Sequence, residues 1–332
     1  MNGRNNGASL GGDHTVLVLA KPAERLPEMI GELPENTTVV VGRQLEEFEK
    51  AAPGATVILS WMAGGKLLES LFAMTPRVRW VHSCSAGLDG ALFPALRDSP
   101  VLLTNGRGLF SDALGEFVIG AVLFFAKQFR RMVRGQEAGV WDQFDTMMIA
   151  GRTMGIVGYG DIGHAAAKRA HALGMKVLSL RRRPQLSQGD ALVDEVMGPD
   201  RLGELLARSD YVVVTAPLTP ETRGLIGDAE FGAMRPETVI INVGRGPVID
   251  EGALIHALQA KRIRGAALDV FHSEPLPADH PFYRLDNVLL SPHCADRTAD
   301  WREQAMRLFL DNFGRFRRGE PLLNLVDKRL GY

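Results

Sequence analysis

"MGIVGYGDIGHAAAKRAHALG", residues 154 to 174, carries glycines at 158, 160 and 163 in the spacing G-x-G-x-x-G. An apolar run, Met154 to Val157, leads into it, and an alanine-rich helical stretch leads out. That context gives each glycine a task. Gly158 permits a tight turn out of the strand, Gly160 lets a pyrophosphate approach the backbone, and Gly163 lets the helix pack against the strand. Backbone N–H groups at the helix start, around Asp161 and Ile162, meet the phosphate charge. The plain alternative is a strand, turn and helix with incidental glycines, and the flanking pattern argues against it.

Downstream, short β-branched runs recur: "KVLSL", "YVVVTAP", "TVIINVG", "GAALDV" and "NVLLSPH". Each ends in a loop of small or polar residues. Upstream, "TVLVLA", "TTVVVG", "ATVILSW", "VRWVHS" and "PVLLTN" form a second series, separated by helical patterns such as "GKLLESLFAM". Strands without clean alternation, separated by helices, predict parallel sheets buried on both faces. Long helical patterns run from about Ser111 to Arg134 and from about Thr298 to Arg318. The expected fold class is α/β, with two Rossmann-like or flavodoxin-like domains of parallel sheet and a cleft between them.

Composition narrows the function classes. The chain has 332 residues, enough for two domains, and 38 Lys+Arg against 39 Asp+Glu give no electrostatic reason to expect a nucleic-acid partner. Its two cysteines, Cys84 and Cys294, lack metal-ligand spacing, so no metal site and no disulfide framework are expected. The polar, Gly/Asn-rich first 14 residues do not read as a secretory signal. The longest apolar run, "FVIGAVLFFA" (117 to 126), is too short for a bilayer and suits a buried helix. A cytoplasmic protein with no membrane partner is the expectation. Trp61 and Trp141 read as packing residues rather than as pocket lining.

Dinucleotide-binding folds of this kind place an acidic residue about 20 positions beyond the glycines, where it accepts the ribose hydroxyls. Here Arg181, Arg182 and Arg183 follow "KVLSL". A carboxylate there would repel the 2′-phosphate of NADP, whereas a guanidinium attracts it and donates two parallel hydrogen bonds. A solvated basic turn is the competing reading. Position at the end of the second strand favours NADP (NADPH) over NAD.

Three polar residues then each follow a strand: Arg245 in "IINVGRGPVID", Glu274 in "LDVFHSEPLP" and His293 in "VLLSPHCAD". Loops at the carboxyl ends of parallel strands gather at one crevice, so the three can meet. Together they suit reduction of a 2-keto acid. The arginine holds the substrate carboxylate and polarises its carbonyl. The histidine gives a proton to the developing alkoxide, and the glutamate orients the imidazole and favours its protonated form.

With these segments, and with "HSCSAGLDG", "VTAPLTPETRGLIG" and "INVGRGPVIDEGAL", the chain resembles the D-isomer-specific 2-hydroxyacid dehydrogenases. The resemblance implies that Arg245, Glu274 and His293 are the catalytic trio. It implies that amides around Ala86, Gly87 and Leu88 grip the substrate carboxylate together with Arg245. Ala216 and Pro217 would line the cofactor groove, with Val243, Gly244, Asp269 and His293 bordering the nicotinamide. It further implies a dinucleotide domain over 105–294, a discontinuous substrate domain over 1–104 and 295–332, and a homodimer built through the cofactor domain with the helix from Ser111 taking part.

The paired Glu274 is unlike the glutamine of the formate branch. The arginine turn is more like the NADPH-preferring glyoxylate/hydroxypyruvate reductases than the phosphoglycerate enzymes. The expected activity is therefore NADPH-dependent reduction of short 2-keto acids to D-2-hydroxy acids. An NAD-dependent enzyme of another substrate class, or a dinucleotide-sensing corepressor-like protein without turnover, stays open. "CADR" at 294–297 departs from the small, apolar or glycine residues more usual there. Asp296 and Arg297 would alter the rim of the site or the domain junction, and Cys294 reads as a small buried filler rather than an oxidation-sensitive thiol.

Overall fold

The structure, a computed structural model, describes residues 13–20 and 25–329. Twelve of the 14 polar leader residues lie outside that range. The chain divides into two compact units, Met1–Phe110 with Thr298–Tyr332, and Ser111–Arg297. Both boundaries fall a few residues beyond 104/105 and 294/295. Local ties explain the shift: Gly106 N–H donates to Ser85 O, and Arg297 N–H donates to Cys294 O.

In the first unit, strands β1 (His14–Ala20), β2 (Thr37–Gly42), β3 (Val57–Trp61), β4 (Trp80–Ser83) and β5 (Leu102–Asn105) pair in the order β2-β1-β3-β4-β5. Every pairing is parallel. This is the flavodoxin-like order. β3 and β4 are buried along their whole length, as strands covered on both faces must be. Helices α1 (Gly65–Ala73) and α2 (Pro94–Arg97) belong to this unit.

The second unit holds α3 (Ser111–Ala126), α4 (Phe129–Ala138), β6 (Thr153–Val157), α5 (Asp161–Ala172), β7 (Lys176–Leu180), β8 (Glu195–Met197), α6 (Leu202–Arg208) and β9 (Tyr211–Val214). It continues through α7 (Asp228–Ala233), β10 (Val239–Asn242), α8 (Glu251–Gln259), β11 (Gly265–Leu268) and β12 (Val288–Leu290). The seven strands lie in the order β12-β11-β10-β9-β6-β7-β8, again all parallel. Strand order reverses between β6 and β9, so β6, the strand that carries the glycines, borders the switch point.

The last helix, α9 (Trp301–Arg318), returns to the first unit, where it stops at a left-handed Gly319 (φ 67°). The tail after it is tied to β5, where Val326 N–H donates to Leu103 O, and to the chain just before β5, where Lys328 Nζ donates to the carbonyls of Leu96, Ser99 and Val101. Trp61 is fully buried and stacks on Trp301 with ring centroids 6.1 Å apart.

Three local readings need correction. The helical pattern from Ser111 to Arg134 is two helices, broken where Gln128 takes a left-handed φ of 54°. The carbonyls freed there are satisfied from elsewhere: Arg264 Nη2 donates to Phe125 O at 2.7 Å, and Met147 N–H to Ala126 O at 3.0 Å. β8 leaves no clear signal in the sequence because it is a three-residue edge strand flanked by charge; Asp194 anchors it by accepting from Val177 N–H at 2.7 Å. Trp141 is not packed within its unit but 91% exposed, on an extended segment tethered by the Arg131–Asp142 ion pair at 2.5 Å.

Candidate active site and cofactor groove

Gly158 closes β6 with φ 98°, and a Cβ there would lie 2.5 Å from Ala216 N. Both the conformation and the space demand glycine. At Gly163 a Cβ would approach Gly158 O to 2.8 Å, so the helix can pack this close only without a side chain. Gly160 differs. Its φ of −106° suits any residue, and a Cβ would meet nothing within 4 Å. The protein itself does not require glycine at 160; the open space beside the start of α5 fits the pyrophosphate of a dinucleotide. Asp161 and Ile162 form the first turn above it.

Ala216 and Pro217 follow β9, the strand across the switch point. Thr215 N–H donates to Val157 O at 2.9 Å and its hydroxyl donates to Gly158 O, locking this turn to the glycine turn. Val243 and Gly244 follow β10, and a Cβ on Gly244 would lie 2.9 Å from Ala216 O. Three successive strand ends therefore meet with almost no side-chain bulk, leaving a groove over backbone.

The arginines follow β7. Arg181 is half-buried, receives support through its N–H donated to Met197 O at 3.1 Å, and donates from Nη1 to the Ser187 hydroxyl. Arg182 and Arg183 are exposed. The Glu221 carboxyl, in the loop after β9, is held below its ordinary range by the Thr219 hydroxyl and, in smaller part, by the charge of Arg182.

β10, β11 and β12 are neighbours in the sheet, so the loops after them converge. His293 Nδ1 lies 2.6 Å from Glu274 Oε2, and Glu274 Oε1 accepts from Phe271 N–H at 3.0 Å. Glu274 is pulled up by burial, but the hydrogen bonds from His293 and Phe271 and the charges of His293 and Arg245 outweigh that and hold it below its ordinary range. His293 is raised, chiefly by its hydrogen bond to Glu274; burial and Arg245 oppose, while the Glu274 and Asp269 charges assist. Arg245 is half-buried, with Nη1 on Gly244 O at 2.8 Å. Its turn is braced by Asn242, which accepts from Gly244 N–H at 3.0 Å and donates to Arg245 O at 3.1 Å.

Asp269 supports the histidine loop. It is buried, and Oδ1 accepts from the Ser291 hydroxyl (2.5 Å), Cys294 N–H (3.0 Å) and Ala295 N–H (3.1 Å). These bonds straddle His293, whose φ of 51° is in the left-handed region. A non-glycine residue there needs such bracing. Cys294 is exposed rather than a buried filler; its N–H donates to Asp269, and its Sγ lies 3.5 Å from the Ser291 hydroxyl. Asp296, half-buried three residues beyond His293, has its carboxyl raised by burial, partly offset by the His293 charge.

Ala86, Gly87 and Leu88 belong to the other unit, in the loop after β4. Asn105 Nδ2 donates to Ala86 O at 2.7 Å, and Leu88 is buried. Asn242, Ser291 and Asn105 were missed in the sequence. Each is a small polar residue at or just beyond a strand end, the one signal that marked it.

A doubly wound sheet with a glycine turn at its switch point, and an arginine, a glutamate and a histidine on adjacent strand ends, defines a dinucleotide-dependent oxidoreductase. Residues 119–295 match the family model described as D-isomer specific 2-hydroxyacid dehydrogenase, NAD binding domain. The chain is 30% identical over 315 residues to a D-3-phosphoglycerate dehydrogenase of Methanocaldococcus jannaschii, covering 93% of this chain and 58% of that one. It is 32% identical over 302 residues to a glyoxylate reductase of Korarchaeum cryptofilum, covering 85% and 89%. Among solved structures, an NADPH-dependent glyoxylate/hydroxypyruvate reductase from Sinorhizobium meliloti, in complex with NADP and sulfate, superposes with a TM-score of 0.82 at 28% identity, covering 96% of this chain and 100% of that chain. The chain belongs to the D-isomer-specific 2-hydroxyacid dehydrogenase family. No helix among its described residues is long and apolar enough to cross a membrane.

Proposed function

We propose that the protein is an NADPH-preferring reductase of short 2-keto acids, of the glyoxylate/hydroxypyruvate kind, giving D-2-hydroxy acids. The observation that carries the reading is the 2.6 Å Glu274–His293 pair with the Arg245 charge beside it, downstream of the glycine turn. When bound, the dinucleotide supplies hydride to the carbonyl carbon. Gly158, Gly160, Asp161, Ile162, Gly163, Ala216, Pro217, Val243, Gly244 and Asp269 would hold it, and Arg181, with Arg182 and Arg183, would take its 2′-phosphate.

The chain's own residues do the rest. Arg245 holds the substrate carboxylate and polarises the carbonyl oxygen. Backbone amides around Ala86 to Leu88 are the substrate-binding groups proposed for the first unit. His293, as imidazolium, donates Nδ1–H to Glu274 and gives up its Nε2 proton to the oxygen that becomes the hydroxyl. In the reverse direction the neutral ring takes that proton. Support for the substrate class comes from the glyoxylate reductases among the relatives. The test is NADPH oxidation on glyoxylate, hydroxypyruvate and pyruvate. Absence of turnover across such a panel, with dinucleotide binding intact, would favour a sensor over an enzyme.

A pH effect follows from the pair. Reduction needs the protonated ring, so its rate falls as pH rises through the His293 pKa. Glu274 raises that pKa and extends reduction to higher pH. Glu274→Gln removes the charge, so the alkaline fall of kcat moves to lower pH. A pH–rate profile of the two proteins checks this, and superimposable profiles would remove Glu274 from the role.

The same proposal includes a homodimer built through the unit 111–297. Supporting it, Val140 (59%), Trp141 (91%) and Met148 (70%) are exposed together on one extended segment beside α4. Sedimentation equilibrium should give twice the chain mass; a monomer at micromolar concentration would contradict it.

A further inference from the structure

The second residue of the glycine turn, Tyr159, has no part in the reading above, yet it is buried (5% exposed). Its hydroxyl donates to Asp190 Oδ2 at 2.8 Å, bridging 31 residues of sequence. Asp190 ends the segment that begins with the three arginines. Its Oδ1 accepts from Leu192 N–H at 3.0 Å, and its own N–H donates to Ser187 O at 3.2 Å. Ser187 is in turn buried, and its hydroxyl receives Arg181 Nη1. A continuous chain of bonds therefore runs from the glycine turn, through Tyr159, Asp190 and Ser187, to the Arg181 guanidinium.

We propose that Tyr159 and Asp190 are a positioning pair that sets 2′-phosphate selectivity by fixing the Arg181–Asp190 segment to the glycine turn. This rests on the cofactor reading above. The chemistry requires such a device. A guanidinium gains its bidentate bonds to a phosphate only when its fork is already aimed, and ordering a loose loop at binding weakens the ligand that needs it. A 2′-hydroxyl asks much less of that fork, so NAD is the less sensitive ligand. The pair also occupies the Asp190 carboxylate, an anion that would otherwise be at liberty near the incoming phosphate. Both groups carry the marks of a built contact. Burial and Asp190 raise the Tyr159 phenol, with Arg181 opposing. Burial pulls Asp190 up, but Leu192 N–H, the Tyr159 hydroxyl and His164 hold it below its ordinary range.

Calorimetric titration of NADP⁺ and NAD⁺ into wild type, Tyr159→Phe, Asp190→Ala and Asp190→Asn tests the pair without any turnover. Tyr159→Phe and Asp190→Ala should each raise the NADP⁺ Kd about 10-fold and leave the NAD⁺ Kd within about 2-fold. Asp190→Asn, whose amide can still meet the Tyr159 hydroxyl, should bind NADP⁺ like wild type. Unchanged NADP⁺ binding in Tyr159→Phe would overturn the pair, as would equal weakening of both dinucleotides, the mark of a merely structural contact. Preference of the wild type for NAD⁺ would overturn the cofactor reading and the pair with it. If Arg181→Asp loses NADP⁺ while Tyr159→Phe does not, the pair alone fails.

Discussion

His293→Ala lowers kcat for keto-acid reduction by about 10³-fold and leaves the dinucleotide Kd within about 2-fold. The asymmetry follows from where the ring is held. Its Nδ1 is bound to Glu274, and the loop carrying it is braced by Asp269 through the N–H groups of Cys294 and Ala295. Removing the imidazole leaves those braces in place, so the groove at Gly158, Ala216 and Gly244 keeps its shape. What disappears is the proposed proton donor for the developing alkoxide. Water reaching the oxygen would supply a residual rate. Stopped-flow reduction together with fluorescence titration of NADPH separates the two quantities. Turnover near wild type would remove His293 from the chemistry.

Arg181→Asp should lower kcat/KM for NADPH by about 10²-fold and leave NADH at or above its wild-type value. Two effects add. The half-buried guanidinium, held to Ser187, is lost as a charge-assisted donor. In its place stands a carboxylate, which repels a 2′-phosphate and accepts from the ribose hydroxyls of NADH. The substrate end of the site is untouched, so kcat at saturating cofactor should hold. Equal loss with both cofactors would mean that Arg181 supports the turn rather than the phosphate.

Much of this was readable from the amino acids, for reasons that differ by residue. The two sheets follow from runs such as "YVVVTAP" and "TVIINVG", because strands buried on both faces need no partner knowledge to recognise. Parallel order then brings the ends of β10, β11 and β12 together, which is why Arg245, Glu274 and His293 could be grouped although 48 residues separate the first from the last by number. Contacts made across the fold were not readable. The Tyr159–Asp190 bond depends on how a loop after β7 returns to the glycine turn, and no local period encodes that. The break at Gln128 was hidden for a similar reason, since the donors that make it tolerable, Arg264 and Met147, come from elsewhere. Resemblance places Asp269 at the nicotinamide border; its three bonds within the histidine loop depend on where the fold sets Ser291, Cys294 and Ala295. Trp141 shows the limit most clearly. A tryptophan in a globular chain is expected to be buried, yet this one is 91% exposed.

The most direct measurement is a paired set of kcat/KM values for NADPH and NADH with glyoxylate, hydroxypyruvate and pyruvate on the wild-type protein. Turnover of at least one of these short 2-keto acids, with NADPH preferred by about 10-fold or more, is the predicted result. Preference for NADH, or no turnover of any 2-keto acid while the dinucleotide still binds, would contradict it.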